Sequence, residues 1–205
     1  TPCEHSFPTR RSSDLLFHTR NKLKYNIRLF GWAVFMQIGD SILTKSLVSK
    51  EIDVSNNIFM TLAVGLTILN LFESSKKNKG VKKVGLIILA ITLIPLGIIM
   101  TEGGQVVILF TLIAYIFREN KKKAIIGYII LSIILFYVSY VPYETLQMTI
   151  KMSMFNSDFL FILAVPFMLL YNGERGVNNK FSKYLFYVFY PLHLWLLAIM
   201  QFVLK

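Results

Sequence analysis

The sequence predicts an all-α fold, a polytopic integral membrane helix bundle, and three observations carry that reading. Across 205 residues the chain is 55% hydrophobic and only 16% charged, with a mean hydropathy of +0.57. A soluble domain averages about 25% charged residues. Apolar stretches of the kind that cross a bilayer, about 17–25 residues with few charges, recur along the chain. Lysine and arginine gather in every second connection between them. Seven apolar runs are counted, at roughly 27–47, 58–72, 84–101, 103–117, 124–141, 159–171 and 181–204. The runs at 58–72 and 159–171 are short, so each tilts little, thins the bilayer or re-enters it.

The formal charge of +11 raises nucleic acid as a partner, and its distribution argues against that. The basic groups are Arg20, Lys22, Lys24 and Arg28; Lys76, Lys77, Lys79, Lys82 and Lys83; Arg118, Lys121, Lys122 and Lys123; and Arg175, Lys180 and Lys183. The alternate connections hold Glu51 and Asp53, Glu102, then Glu144 and Asp158. This is the positive-inside pattern. It places the start of the bundle and the basic loops in the cytoplasm, with Lys205 outside, and makes the lipid bilayer the first partner. Topology and lipid-headgroup contact suffice to account for the basic clusters.

Residues His5 to Leu15, HSFPTRRSSDL, read as the translation of a short-read sequencing adapter. Residues 1–15 are therefore set aside as non-native, and Cys3, the one cysteine, goes with them. No disulfide, thiol nucleophile or cysteine metal site is left to argue. The expectation is a single transmembrane domain over 16–205, belonging to a protein truncated at its amino end.

Taken in order, 16–21 reads as the cytoplasmic end of a missing helix followed by a turn. The first full run carries Gln37, Asp40 and Lys45. Five residues separate Asp40 from Lys45, about 140° around a helix, so they do not pair directly. Asp40 is then either wet at the outer interface or buried with a partner on another helix. Pro95 and Pro166 interrupt two runs, where neighbouring helices or waters re-satisfy the freed carbonyls. Leu146, Thr149, Ile150 and Met154 fall at helical spacing within the less hydrophobic stretch 141–157, which reads as an amphipathic helix lying on the outer membrane face.

Chemistry is expected on the last run. His193 lies on nearly the same helical face as Phe186, Phe189 and Tyr190, and Pro191 frees the Tyr187 carbonyl one turn earlier. An ionisable side chain at membrane depth is a functional hypothesis by default, and histidine suits proton transfer near neutrality. The alternative is a neutral histidine hydrogen-bonded between helices. His18, beside Arg20, is read first as an interfacial polar residue. The turn Asn172-Gly173-Glu174-Arg175-Gly176 offers backbone amides and a guanidinium suited to phosphate or carboxylate, and it also reads simply as a turn with a topogenic arginine. Glu102-Gly103-Gly104 forms a tight outer turn, with Glu102 either a solvated charge or a partner for the surroundings of Asp40. Two histidines without a cysteine or carboxylate cluster make no case for a metal.

Together the segments FHTRNKLKYNIRLFGWAVFMQIGDSIL, NIFMTLAVGL, TEGGQVVILFTLIAYIFREN, LLYNGERG and KYLFYVFYPLHLWLL resemble the TraX family, across most of residues 16–205. These are polytopic inner-membrane proteins associated with acetylation of conjugative pilin subunits, similar to the wider integral-membrane acyltransferases. The resemblance implies a bacterial inner-membrane protein that moves acetyl from acetyl-CoA, as co-substrate, to a pilin-type or other cell-envelope acceptor. It departs from the family pattern twice: further N-terminal helices with an Asp-His pair are absent, and the TEGG turn lacks an aromatic after Glu102.

Joining the residues to the resemblance gives His193 as base and Tyr187 or Tyr190 positioning the thioester carbonyl. Arg175, Asn172, Gly173, Lys180, Lys183, His18 and Arg20 would then hold the CoA phosphates at the cytoplasmic mouth. A small transporter or channel with Asp40, Glu102 and His193 along its path is the competing class, against which no inverted repeat is evident. A non-catalytic assembly factor of a conjugation or secretion apparatus is the third reading.

Overall fold

A computed structural model describes residues 22–46, 57–170 and 180–204, with side chains of the last helix from residue 185. Every described element is helical. They are α1 (Lys22–Ser46), α2 (Ile58–Lys77), α3 (Gly80–Met100), α4 (Gly104–Ile116), α5 (Lys121–Ser139), α6 (Leu146–Phe155), a 3-10 segment (Asp158–Leu163), α7 (Ala164–Leu170) and α8 (Lys180–Leu204). They fall into two compact units, one within Asn21–Glu102 and Arg175–Lys205, the other within Gly103–Glu174.

Over their described residues all seven apolar runs are largely helical, yet the number able to span is smaller. Among the described residues α2, α3, α5 and Leu185–Leu204 are long and apolar enough to cross a membrane. A fifth span is reached if α6 and the segment Asp158–Leu170, bent by 60° at their junction, count as one. Two of the shortfalls have simple causes. α4 has only 13 residues, and α1 dilutes its apolar content with Arg28, Gln37 and Asp40.

In the first unit α2 is the central element. It buries Phe59, Thr61, Ala63, Leu66, Ile68 and Leu69 around much of its circumference, with α1 and α3 packed against it. α1 answers with one stripe, Asn26, Leu29, Ala33, Met36 and Asp40, at the three- and four-residue spacing of a single helical face. Asn57 caps α2, its Oδ1 accepting from the Met60 amide at 3.3 Å. α3 runs through Pro95 without ending.

The second unit is held by aromatic contact and a few polar ties. Phe110 of α4 stacks on Tyr128 of α5 at 4.4 Å and meets Phe161 edge-on at 5.9 Å. Gly127 lets α5 approach closely, since a Cβ there would lie 2.9 Å from Ile113 Cγ2. Ser132 Oγ donates to the Phe159 carbonyl at 2.8 Å, and Gln105 Nε2 donates to Asp158 Oδ2. α6 starts at the cap Thr145, inside the stretch read as an amphipathic helix.

Candidate functional site

The first unit gathers Gln37, Asp40, Asn57, Thr61 and Glu102 towards one end, where α1 finishes, α2 begins and the chain leaves α3. Asn57 is the hub. Its backbone amide donates to Glu102 Oε2 at 2.7 Å, and its Nδ2 donates to the Ala33 carbonyl at 2.9 Å and, more weakly, to Gln37 Oε1 at 3.5 Å. Thr61 Oγ1 donates to the Glu102 carbonyl at 2.6 Å. Three helices are therefore tied through polar atoms, each of which would be costly unpaired in an apolar medium.

Asp40 is 2% exposed, which decides between its two sequence readings in favour of burial. Its partner is on α8: Trp195 Nε1 donates to Asp40 Oδ1 at 2.8 Å. Gly39 makes this possible, because a Cβ there would come within 2.1 Å of Trp195 Cζ2. Glu102 is an exposed residue whose carboxylate nonetheless accepts from the Asn57 amide. Its carboxylate lies close enough to Asp40 to feel its charge. Removal from water holds the Glu102 carboxyl above the usual range; the Asn57 amide offsets part of that, and the Asp40 charge adds to it.

Aromatic rings wall this end. Tyr187 stacks on Trp32 at 5.5 Å and on Phe59 at 5.7 Å. Phe59, wholly buried, also receives the edges of Phe186 and Tyr190. The Tyr190 hydroxyl is within hydrogen-bonding reach of the Ile58 amide and within electrostatic range of Glu102 and Asp40. His193 stacks on Phe189 at 5.0 Å and meets Tyr190 edge-on at 5.5 Å. Its Nδ1 lies 2.9 Å from the Phe189 carbonyl. A carbonyl only accepts, so Nδ1 carries the proton in that contact and the Nε2 lone pair is left available.

Of the sequence-derived candidates, Tyr190 lies in electrostatic range of Asp40 and Glu102, and His193 meets the Tyr190 ring. Tyr187 is mostly ring wall. Lys180 and Lys183 lie on α8, whose first five side chains are outside the described set, and His18, Arg20, Asn172, Gly173 and Arg175 are outside the described residues altogether. Sequence reasoning missed Asn57, Thr61 and Trp195. Asn57 carried a usable signal, a capping residue immediately before an apolar run; Trp195 carried none beyond its aromatic character. Among the described residues no three His, Cys, Asp or Glu side chains group to hold a metal ion.

Several apolar helices of spanning length, with a polar cluster at one end of the first unit, define a multi-pass membrane protein. The family model described as TraX protein matches residues 11–201, nearly the whole chain. The chain belongs to the TraX family. Comparison with curated proteins and with solved structures finds no match.

Proposed function

We propose that this protein is a membrane acetyltransferase of the TraX family, transferring acetyl from acetyl-CoA to a pilin-type or other cell-envelope acceptor. Family membership supports a conjugation-associated membrane protein. The observation that carries the chemistry is the contact of His193 with Tyr190, a tyrosine that lies in electrostatic range of two carboxylates.

In this mechanism Nε2 of His193 takes the proton of the acceptor amine as its nitrogen attacks the thioester carbonyl. The Tyr190 hydroxyl donates to the oxygen that becomes negative. Collapse breaks the carbon–sulfur bond, the imidazolium returns its proton to the departing thiolate, and an amide and free CoA result. Removing a base of this kind costs about 10²–10⁴-fold in rate.

The CoA phosphates are assigned to Arg175, Lys180, Lys183 and Arg20, with the Asn172–Gly173 turn and His18 beside them. Thirteen residues separate Lys180 from His193 on α8, so the acyl arm reaches about 20 Å along the helix. The protein sits in the bacterial inner membrane, basic loops inside and the C-terminus outside. Saturable acetyl-CoA binding by the full chain in detergent, weakened by Arg175→Ala, tests this reading. Absence of binding at millimolar concentration contradicts it and turns attention to substrate flux in proteoliposomes.

A further inference from the structure

Asp40 is a buried carboxylate that the proposed proton transfer does not use. It is 2% exposed, and the Trp195 indole donates to its Oδ1 from α8. A carboxylate inside an apolar bundle is costly, and an apolar pair of the same shape would pack as well. What the carboxylate adds is direction, because a hydrogen bond has an angular preference that apolar contact lacks. The bond from Trp195 fixes how α8 is turned about its own axis.

α8 needs such a fix because Pro191 lies inside it. Proline has no amide N–H for the carbonyl four residues earlier, so the backbone bond to the Tyr187 carbonyl is not made. The half before the proline is held by rings: Tyr187 and Tyr190 on Phe59, and Tyr187 on Trp32. The half after it meets α1 through Ala198 packed on Leu43 and through the Trp195–Asp40 bond. His193 bridges the two halves. It follows the proline, yet its ring stacks on Phe189 and its Nδ1 meets the Phe189 carbonyl at 2.9 Å, both ahead of the proline. That contact keeps the Nε2 lone pair available only while the halves hold their relative turn. A rotation of about 10° at a side-chain radius of about 5–6 Å moves the imidazole about 1 Å. A misplacement of that size costs up to about 10²-fold in rate.

We propose that Asp40 and Trp195 are positioning residues. Their hydrogen bond latches the part of α8 beyond Pro191 to α1 and so holds His193 with Nδ1 on the Phe189 carbonyl and Nε2 turned to proton transfer. The catalytic meaning of the latch rests on the acetyltransferase reading; the latch itself does not.

The test reads the two parts separately. In full chain carrying isotope-labelled histidine, in detergent at a pH that keeps the imidazole neutral, proton–nitrogen correlations report the tautomer of His193, whose signal is assigned by its loss in His193→Ala. The parent is expected to show the Nδ1–H form. Trp195→Phe keeps a ring beside Phe35 but has no indole N–H, and is expected to show both tautomers with helix content by circular dichroism unchanged. Adding Pro191→Ala restores the parent pattern, because an amide at 191 rejoins the halves. In acetyl transfer, Trp195→Phe lowers kcat about tenfold and leaves KM within about twofold. Asp40→Asn, which keeps an acceptor for the indole, loses less than Asp40→Ala. An unaltered His193 tautomer in Trp195→Phe overturns the proposal, as does a tautomer mixture that Pro191→Ala does not restore. Tautomer control by the latch in a chain that transfers no acetyl would uphold the latch and remove only the acetyltransferase reading.

Discussion

The two compact units use polar atoms to different extents. In the unit of α1, α2, α3 and α8, polar side chains are drawn inside and joined across helices: Asn57 to Glu102 and Ala33, Asp40 to Trp195, Asn26 to Thr67. In the unit of α4 to α7 the cross-element polar ties include Gln105 to Asp158 and Ser132 to the Phe159 carbonyl, and ring contacts such as Phe110 on Tyr128 and Phe136 on Phe159 do much of the joining. Where lipid replaces water, apolar contact alone distinguishes helix–helix from helix–lipid packing only weakly, so specificity comes from close packing and interhelical hydrogen bonds. The first unit is joined through a polar network across its helices, and the second leans on ring contact with a few polar ties.

That contrast can be broken in several ways. The largest stability loss is expected for Phe59→Ala, which empties a fully buried position touched by Trp32, Phe186, Tyr187 and Tyr190. Thermal unfolding in detergent should register about 3 kcal/mol, within the range for buried aromatic truncation. Gly39→Val comes next, at about 2 kcal/mol, because a side chain there drives into the Trp195 indole. Intrinsic fluorescence should shift as that ring is displaced; an unmoved spectrum and unchanged stability would remove the Gly39 argument.

A smaller effect separates the hydrogen bond from the ring. Trp195→Phe leaves an aromatic beside Phe35 but strips Asp40 of its donor, and about 1 kcal/mol is expected. Double-mutant coupling between Trp195→Phe and Asp40→Asn should be positive; simple additivity would mean the two side chains act independently.

The smallest effect is in pH dependence. Glu102 has a folded pKa above its ordinary value of 4.5. Its contribution to stability is therefore fully present below the unfolded pKa and is lost as pH rises through the folded one. Between pH 4 and 7 the parent should lose stability relative to Glu102→Gln, since both variants share every other titrating group. Parallel curves would show that the partial desolvation of the Glu102 carboxyl is not felt.

Much of this was legible in the sequence. Seven apolar runs announced seven helical regions because backbone in lipid has no other way to satisfy its amides, and the spacing of Leu146, Thr149, Ile150 and Met154 announced α6. Their number exceeded the spanning helices because hydropathy marks what is apolar, not what is long enough, as α4 shows. At the site, a histidine, two carboxylates and a tyrosine stood out as ionisable groups in apolar surroundings. What joins them did not. Asp40 and Trp195 are 155 residues apart, and Asn57 and Glu102 are 45 apart. Such pairings arise from which helices become neighbours, and no local pattern encodes that.

The most direct test of the account is single-turnover transfer of labelled acetyl from acetyl-CoA to membrane acceptors. Full chain in membranes would be compared with His193→Ala, both verified as folded and inserted. The account predicts transfer by the parent and a loss of about 10²–10⁴-fold in the variant. Equal transfer by both would contradict the assignment of His193 as the base and, with it, the catalytic reading of the cluster.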